Sequence, residues 1–247
     1  MDSSTWPDHV IVLPDPDAVA KAAAERTAAL ISKLPGRISL ALSGGSTPKP
    51  YYRLLADEPY RSNIPWERLH VFLVDERYVP HDHPDSNFLM IRQALLDRVA
   101  MPAANLHPMP TDGTPEQCAA RSRSELAEFF GGRPERFDLV VLSMGPDGHT
   151  ASLFAGRSEA ADQTQTVAAV YDSPKPPPTR LTLTLPVLNR AARVLFLVTG
   201  ADKAPALARA LAEGQAGELP AGRVAPAEDA AVWLVDRAAA SSQLSGA

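Results

Sequence analysis

The strongest constraint on this chain is a repeated alternation of short aliphatic runs with longer, alanine-rich stretches. Residues 10–13, 38–42, 70–74, 139–143, 167–171, 181–185, 194–198 and 232–235 are dominated by Val, Ile and Leu, and read as strands. Residues 18–34, 48–56, 87–98, 115–130 and 201–212 carry helical patterning. Strands separated by helices are joined by crossovers, and crossovers make neighbouring strands parallel. The expected fold class is therefore α/β, with a mostly parallel sheet and helices on both faces. Residues 173–178 hold four prolines in six positions and read as a stiff loop inside one domain rather than a linker. The whole chain, 1–247, is taken as that single domain, with 238–247 as a small, polar, fraying tail.

In open parallel sheets ligands bind beyond the carboxyl ends of the strands. Four such ends carry unusual residues. The first is Ser43-Gly44-Gly45-Ser46-Thr47-Pro48. Its glycines permit a sharp turn and close approach to a ligand, Thr47 reads as an N-cap, and Pro48 suits the first helical position. Free N–H groups at a helix start favour an anion. The glycine spacing matches neither a Walker loop nor a dinucleotide fingerprint, so an ordinary strand–turn–helix junction stays open as the other reading.

The second is Asp75-Glu76-Arg77-Tyr78-Val79-Pro80, followed by Ser86-Asn87. Charges at a strand end are costly to bury without a task. Arg77 has the planar fork that grips phosphate, and Asp75 suits either a sugar hydroxyl or the orientation of Arg77. The alternative is a surface ion pair. His81-Asp82-His83 has a chelating form, but no further His or Cys stands at structural-zinc spacing and Pro80 and Pro84 flank it. It reads as a solvated loop, and no metal is expected.

The third is Met144-Gly145-Pro146-Asp147-Gly148-His149-Thr150-Ala151-Ser152-Leu153-Phe154. His149 stands at the start of what reads as a short helix, where an added positive charge is unfavourable and a neutral imidazole, a competent general base, is favoured. Asp147 is placed to meet the ring, or a substrate hydroxyl, across a turn. The fourth pairs Arg180 on an alternating strand with Thr199-Gly200-Ala201-Asp202-Lys203, where Lys203 at a helix start implies a nearby anion. A solvent-facing lysine is the competing reading.

Composition narrows the partners. A formal net charge of −5 gives no global pull toward nucleic acid, so any anion must meet a local basic cluster. The lone cysteine, Cys118, excludes an intrachain disulfide. Residues 1–17 are acidic and broken by three prolines, unlike a signal peptide, and no apolar run approaches the ~20 residues of a membrane span. The expectation is a cytoplasmic protein, monomeric or weakly homo-oligomeric, without membrane or nucleic-acid partners.

Taken together, these motifs resemble the 6-phosphogluconolactonase family, which is related to glucosamine-6-phosphate deaminase. Residues 43–48, 75–80 with 86–87, 144–154, 180–188 and 197–204 match in order. The resemblance implies a modified Rossmann-like α/β domain that hydrolyses 6-phosphogluconolactone, a small phosphosugar lactone, without a cofactor. It maps the catalytic histidine onto His149. It maps phosphate contacts onto the loop of Ser43, Gly44, Gly45, Ser46 and Thr47, with Arg77 and Lys203. Asp75, Asp147 and Arg180 fall on active-site positions. Two departures stand out: Ser143 replaces the first glycine of the family's Gly-Met-Gly, and Ala155 replaces a proline after Ser-Leu-Phe.

Two rivals remain on the sequence. One is the deaminase, whose histidine is typically followed by Ile-Ala-Phe-Asn-Glu-Pro; here Phe154 occupies the glutamate position. The other is a sugar-phosphate sensor, which needs a basic DNA-binding segment that the short, acidic N-terminal stretch does not offer. A serine hydrolase is disfavoured because no Gly-x-Ser-x-Gly elbow is present.

Overall fold

The computed structural model describes residues 9–212, 218–227 and 231–241. Its strands are β1 (Val10–Leu13), β2 (Ile38–Leu42), β3 (Leu69–Leu73), β4 (Asp75–Arg77), β5 (Leu106–His107), β6 (Leu139–Ser143), β7 (Val167–Val170), β8 (Arg180–Leu183), β9 (Val194–Val198) and β10 (Ala231–Asp236). Its α-helices are α1 (Pro16–Ile31), α2 (Lys49–Leu55), α3 (Tyr60–Asn63), α4 (Asn87–Ala94), α5 (Pro115–Phe129), α6 (Ser158–Ala161), α7 (Leu185–Arg190) and α8 (Ala204–Leu211).

Seven strands form one parallel sheet in the order β1-β10-β9-β6-β2-β3-β5. Strands β2 and β9 are buried at every position. Side chains alternate between faces, so both faces of the sheet are covered, and this is why these strands read as unbroken aliphatic runs. Helix α1 packs against β9, β10 and α2. Asp15 caps it, accepting from the Ala18 N–H at 2.8 Å, with Pro16 in the first turn.

The strand order reverses between β2 and β6. From β2 the chain moves outward to β3 and β5; from β6 it moves the other way to β9 and β10, with β1, the first strand, at that edge. Loops at such a switch point diverge and leave a crevice at the strand ends.

The expected sheet was too inclusive. Strands β7 and β8 do not join it; β8 pairs antiparallel with β7 and with β4, a strand missed in the sequence, to make a three-stranded sheet β4-β8-β7. The charged Asp75-Glu76-Arg77 segment concealed β4, because neither periodicity nor β-propensity marks it. Residues 173–178 form the closed connection of the β7–β8 hairpin, with the Ser173 N–H donating to the Pro178 carbonyl at 2.9 Å. The fraying tail is corrected in part: Ala239 and Ala240 are fully buried, and the Ala239 N–H donates to Asp236. Residues 242–247 lie outside the described residues. Among the described residues no helix is long and apolar enough to cross a membrane.

Candidate active site

A cleft of about 340 Å³ opens at the switch point. It is lined by the loop after β2 (Ser43, Gly44, Gly45, Ser46, Thr47), by Asp75 and Arg77 of β4, by His149 and its loop, and by Arg180 and Lys203. Every binding residue expected from the sequence is therefore in one place. Asp147 stands behind His149 rather than among the lining residues.

The loop after β2 is shaped by close packing. A Cβ on Gly44 would lie 1.8 Å from Oδ1 of Asn87, so only glycine fits against that side chain. The buried Tyr52 hydroxyl donates to the Ser43 carbonyl at 2.6 Å and anchors the loop from below. The capping expectation is corrected. Pro48, not Thr47, is the N-cap residue; it makes no side-chain cap, and α2 has only seven residues. The Thr199 hydroxyl instead approaches that of Thr47 at 3.5 Å, linking the β2 and β9 loops. What the cleft offers an anion here is the loop's own N–H groups and the surrounding cations rather than a helix dipole.

The acid pair divides its work. Glu76 is fully buried and accepts from the N–H groups of Arg77, Asn87 and Phe88 and from the Ser86 hydroxyl. Burial pushes its pKa up, although those four donors pull the other way. Its task is structural: it fastens β4 to the start of α4. Asp75 lines the cleft and accepts from the Ser152 hydroxyl at 2.7 Å and from Asn87 Nδ2 at 3.3 Å. Arg77 donates through Nη1 to the Asp85 carbonyl. Its Nε, the Ser43 hydroxyl and Oδ1 of Asn87 are buried without a hydrogen-bond partner, and all three residues line the cleft. Buried polar atoms are normally paired, so these three mark a surface matched to a polar ligand.

His149 is held differently from the expectation. No helix begins there; residues 144–157 form turns, with an isolated bridge between Thr150 and Leu153. Consecutive small and turn-forming residues, with only a short apolar stretch, cannot sustain a helix without packing. The helix-end argument for a neutral ring is thereby replaced by a direct partner. His149 Nδ1 lies 2.5 Å from Asp147 Oδ1. Burial alone raises the Asp147 pKa, but the His149 hydrogen bond, the His149 charge and Lys175 outweigh it and hold the carboxyl well below the usual carboxylate range. An ionised carboxylate can only accept, so the proton of this bond sits on Nδ1; in the neutral form of the ring Nε2 is then the nitrogen with the free lone pair. On its other side the ring packs on Phe154, with centroids 4.6 Å apart.

Gly145 makes room for this pair. A Cβ there would fall 2.1 Å from both Nδ1 and Cε1 of the His149 ring and 2.6 Å from Asp147 Oδ1. The glycine that matters for close packing is thus retained, while Ser143, the departure noted above, accepts from the Thr150 hydroxyl through its backbone carbonyl. We expect Gly145→Ala to lower kcat about tenfold with an unchanged Tm. A misplacement near 1 Å is enough for losses of that size or larger. Wild-type turnover in a folded Gly145→Ala protein would refute the assigned ring position.

Lys203 donates to the Met144 carbonyl at 2.6 Å, bridging the β9 and β6 loops. Burial lowers its pKa, with Asp202 and Asp147 opposing and Lys175 assisting. Arg180 is buried and lines the cleft, yet most of its donors are engaged elsewhere. Nε donates to the Pro177 carbonyl, and Nη2 to those of Lys175 and Pro176. His81 meets the Met109 carbonyl, and His83 Nδ1 accepts from the Asp85 N–H, so the two imidazoles serve separate loop contacts.

A family model described as glucosamine-6-phosphate isomerases/6-phosphogluconolactonase matches residues 14–233. A 6-phosphogluconolactonase of Synechocystis is 45% identical over 228 residues, covering 90% of this chain and 87% of that protein. The chain belongs to this family. The 6-phosphogluconolactonase of Rattus norvegicus is 39% identical, with 90% and 87% covered. The crystal structure of the Thermotoga maritima 6-phosphogluconolactonase superposes with a TM-score of 0.81 at 34% identity, covering 92% of this chain and 99% of that one. A monomeric glucosamine-6-phosphate deaminase has a TM-score of 0.79 at 22% identity, a likeness of fold alone.

Within this family fold, sequence reasoning missed three residues of the site. Asn87 and Ser152 were seen only as parts of motifs, and Lys175 not at all. Lys175 lies among prolines in a segment read as a connector, and nothing local marks a lone loop lysine as facing a cleft. The available signal was its place just before the alternating strand that carries Arg180.

Proposed function

We propose that this protein hydrolyses 6-phospho-D-glucono-1,5-lactone to 6-phospho-D-gluconate, the second step of the oxidative pentose phosphate pathway. The whole chain, 1–247, acts as one lactonase domain, in the cytoplasm, as a monomer or weak homo-oligomer. The observation that carries this reading is the His149–Asp147 pair at the edge of a cleft lined by four cations.

The phosphate docks against the N–H groups of residues 43–47, with Arg77 and Lys203 supplying charge. Asp75 accepts from a sugar hydroxyl. His149 Nε2 takes a proton from a water as its oxygen attacks the lactone carbonyl carbon, and the carbonyl electron pair moves onto oxygen. Asp147 steadies the imidazolium that results, as an ion partner does in acyl-transfer triads. When the oxyanion collapses, the bond to the ring oxygen breaks and His149 returns its proton to that oxygen. No cofactor or metal is required by these steps.

Phe154 favours lactone hydrolysis over deamination. The deaminase reaction moves a proton between two carbons and expels ammonia, and in that family a glutamate partners the histidine. Here an apolar ring packs on the imidazole instead, and it can neither accept nor relay a proton. The test supplies freshly made lactone and glucosamine 6-phosphate to one preparation, reading proton release and ammonia. Rapid proton release without ammonia is expected; ammonia at a comparable rate would overturn the reading.

A further inference from the structure

Lys175 is, with Arg180, one of two cleft cations that the mechanism above leaves idle. Its Nζ lies 3.8 Å from Asp147 Oδ1, the same oxygen that meets His149. Among the described residues it is the cleft cation within ion-pair distance of that pair. It therefore stands at the end of the cleft where bonds change.

Its placement is enforced. The Ser173 hydroxyl donates to the Lys175 carbonyl at 3.0 Å and accepts from the Lys175 N–H at 3.3 Å. Arg180 then takes three consecutive carbonyls of the loop, those of Lys175, Pro176 and Pro177, at 3.0, 3.2 and 3.1 Å. A buried guanidinium needs acceptors, and three carbonyls in a row meet its fork. The prolines restrict the backbone further. The side chain of Lys175 itself remains partly exposed toward the cleft. A loop held in this way brings the cation to the cleft with its backbone already ordered.

Charge accounting gives that cation a task. Arg77, Lys175, Arg180 and Lys203 line the cleft against one lining carboxylate, Asp75. A phosphate already present in the substrate is matched by Arg77 and Lys203. Hydrolysis creates one new negative charge, first on the carbonyl oxygen and finally on the product carboxylate. We propose that Lys175 contacts the lactone carbonyl oxygen and stabilises the charge that develops there, and that Arg180 is the positioning residue that holds it in place. This rests on the lactonase reading and adds a catalytic residue to it.

The test compares Lys175→Met with the wild type in two ways. Binding of 6-phosphogluconate and of glucitol 6-phosphate, which has the phosphate but no carboxylate, is measured by titration calorimetry. Turnover is measured on the lactone. Loss of one charge-assisted contact should lower kcat and 6-phosphogluconate affinity each about tenfold, leaving glucitol 6-phosphate binding within about twofold. Lys175→Arg should restore part of both. Arg180→Lys, which keeps the charge and loses the fork, should reproduce the selective loss in a protein whose Tm confirms folding. Equal weakening of both ligands would make Lys175 a phosphate contact and overturn the proposal. A fall in kcat with unchanged product affinity would overturn it too, because Lys175 would then act only through Asp147. Wild-type behaviour of Lys175→Met in an active preparation refutes this inference alone, whereas an inactive wild type refutes the lactonase reading beneath it.

Discussion

Replacing His149 with asparagine should lower kcat by about 10²- to 10⁴-fold, the range associated with loss of a general base. Asparagine keeps much of the shape and a polar group near Asp147, so the loop after β6 should hold. It has no lone pair of suitable basicity at the position of Nε2. The loss should therefore fall on kcat, with KM and product affinity little changed, because no phosphate contact is assigned to His149. The assay is proton release under single-turnover and steady-state conditions. A variant within a few-fold of the wild type would remove His149 from the mechanism, and Asp147 with it.

The pair also has a pH consequence. Asp147 is held below the usual carboxylate range. A depressed folded pKa means that any stability from the pair is present above the unfolded value and is lost only as pH falls through the folded one. Half-exposure of Asp147 keeps that contribution small. Asp147 therefore remains a hydrogen-bond acceptor for the His149 ring until pH falls to its depressed folded pKa.

How much of this was legible before the structure depended on the kind of signal. The parallel sheet was readable because strands such as β2 and β9 are buried on both faces and so appear as unbroken aliphatic runs. The site was readable because parallel strands release their loops at one end, and four loops carried charge or glycine there. Three things were not. Strand β4 is three charged or polar residues whose strand character comes only from pairing with β8. The turn at His149 resembled a helix start because Thr150-Ala151-Ser152 suits either, and tertiary contacts decided it: the Thr150 hydroxyl on Ser143 and the Ser152 hydroxyl on Asp75. The role of Arg180 was half-read. Its place on the cleft was expected, but its carbonyl partners lie in a proline loop whose path no local pattern specifies.

Arg77 should carry the discrimination for the phosphorylated substrate. It lines the cleft with its Nη1 held by the Asp85 carbonyl and its buried Nε unpartnered. One side of the fork is thus fixed while donors remain for a ligand. Hydrogen bonds to charged groups are worth roughly 1.5–3 kcal/mol. At about 1.4 kcal/mol per factor of ten, Arg77→Ala should lose roughly 10- to 10²-fold in kcat/KM on the phosphorylated lactone. Most of this should appear in KM, because the phosphate is bound alike before and during the reaction. Unphosphorylated gluconolactone offers nothing to this arginine, so its slow hydrolysis should be unchanged in the variant, and the preference between the two lactones should fall by the same factor. Arg77→Lys should recover only part, since a point charge replaces a two-pronged donor. Parallel kinetics on both lactones decide the matter. If both lactones lost equally, Arg77 would be shaping the site rather than reading phosphate. If neither lost, the anion contacts would have to lie with Lys203 and the loop of Ser43 to Thr47 alone.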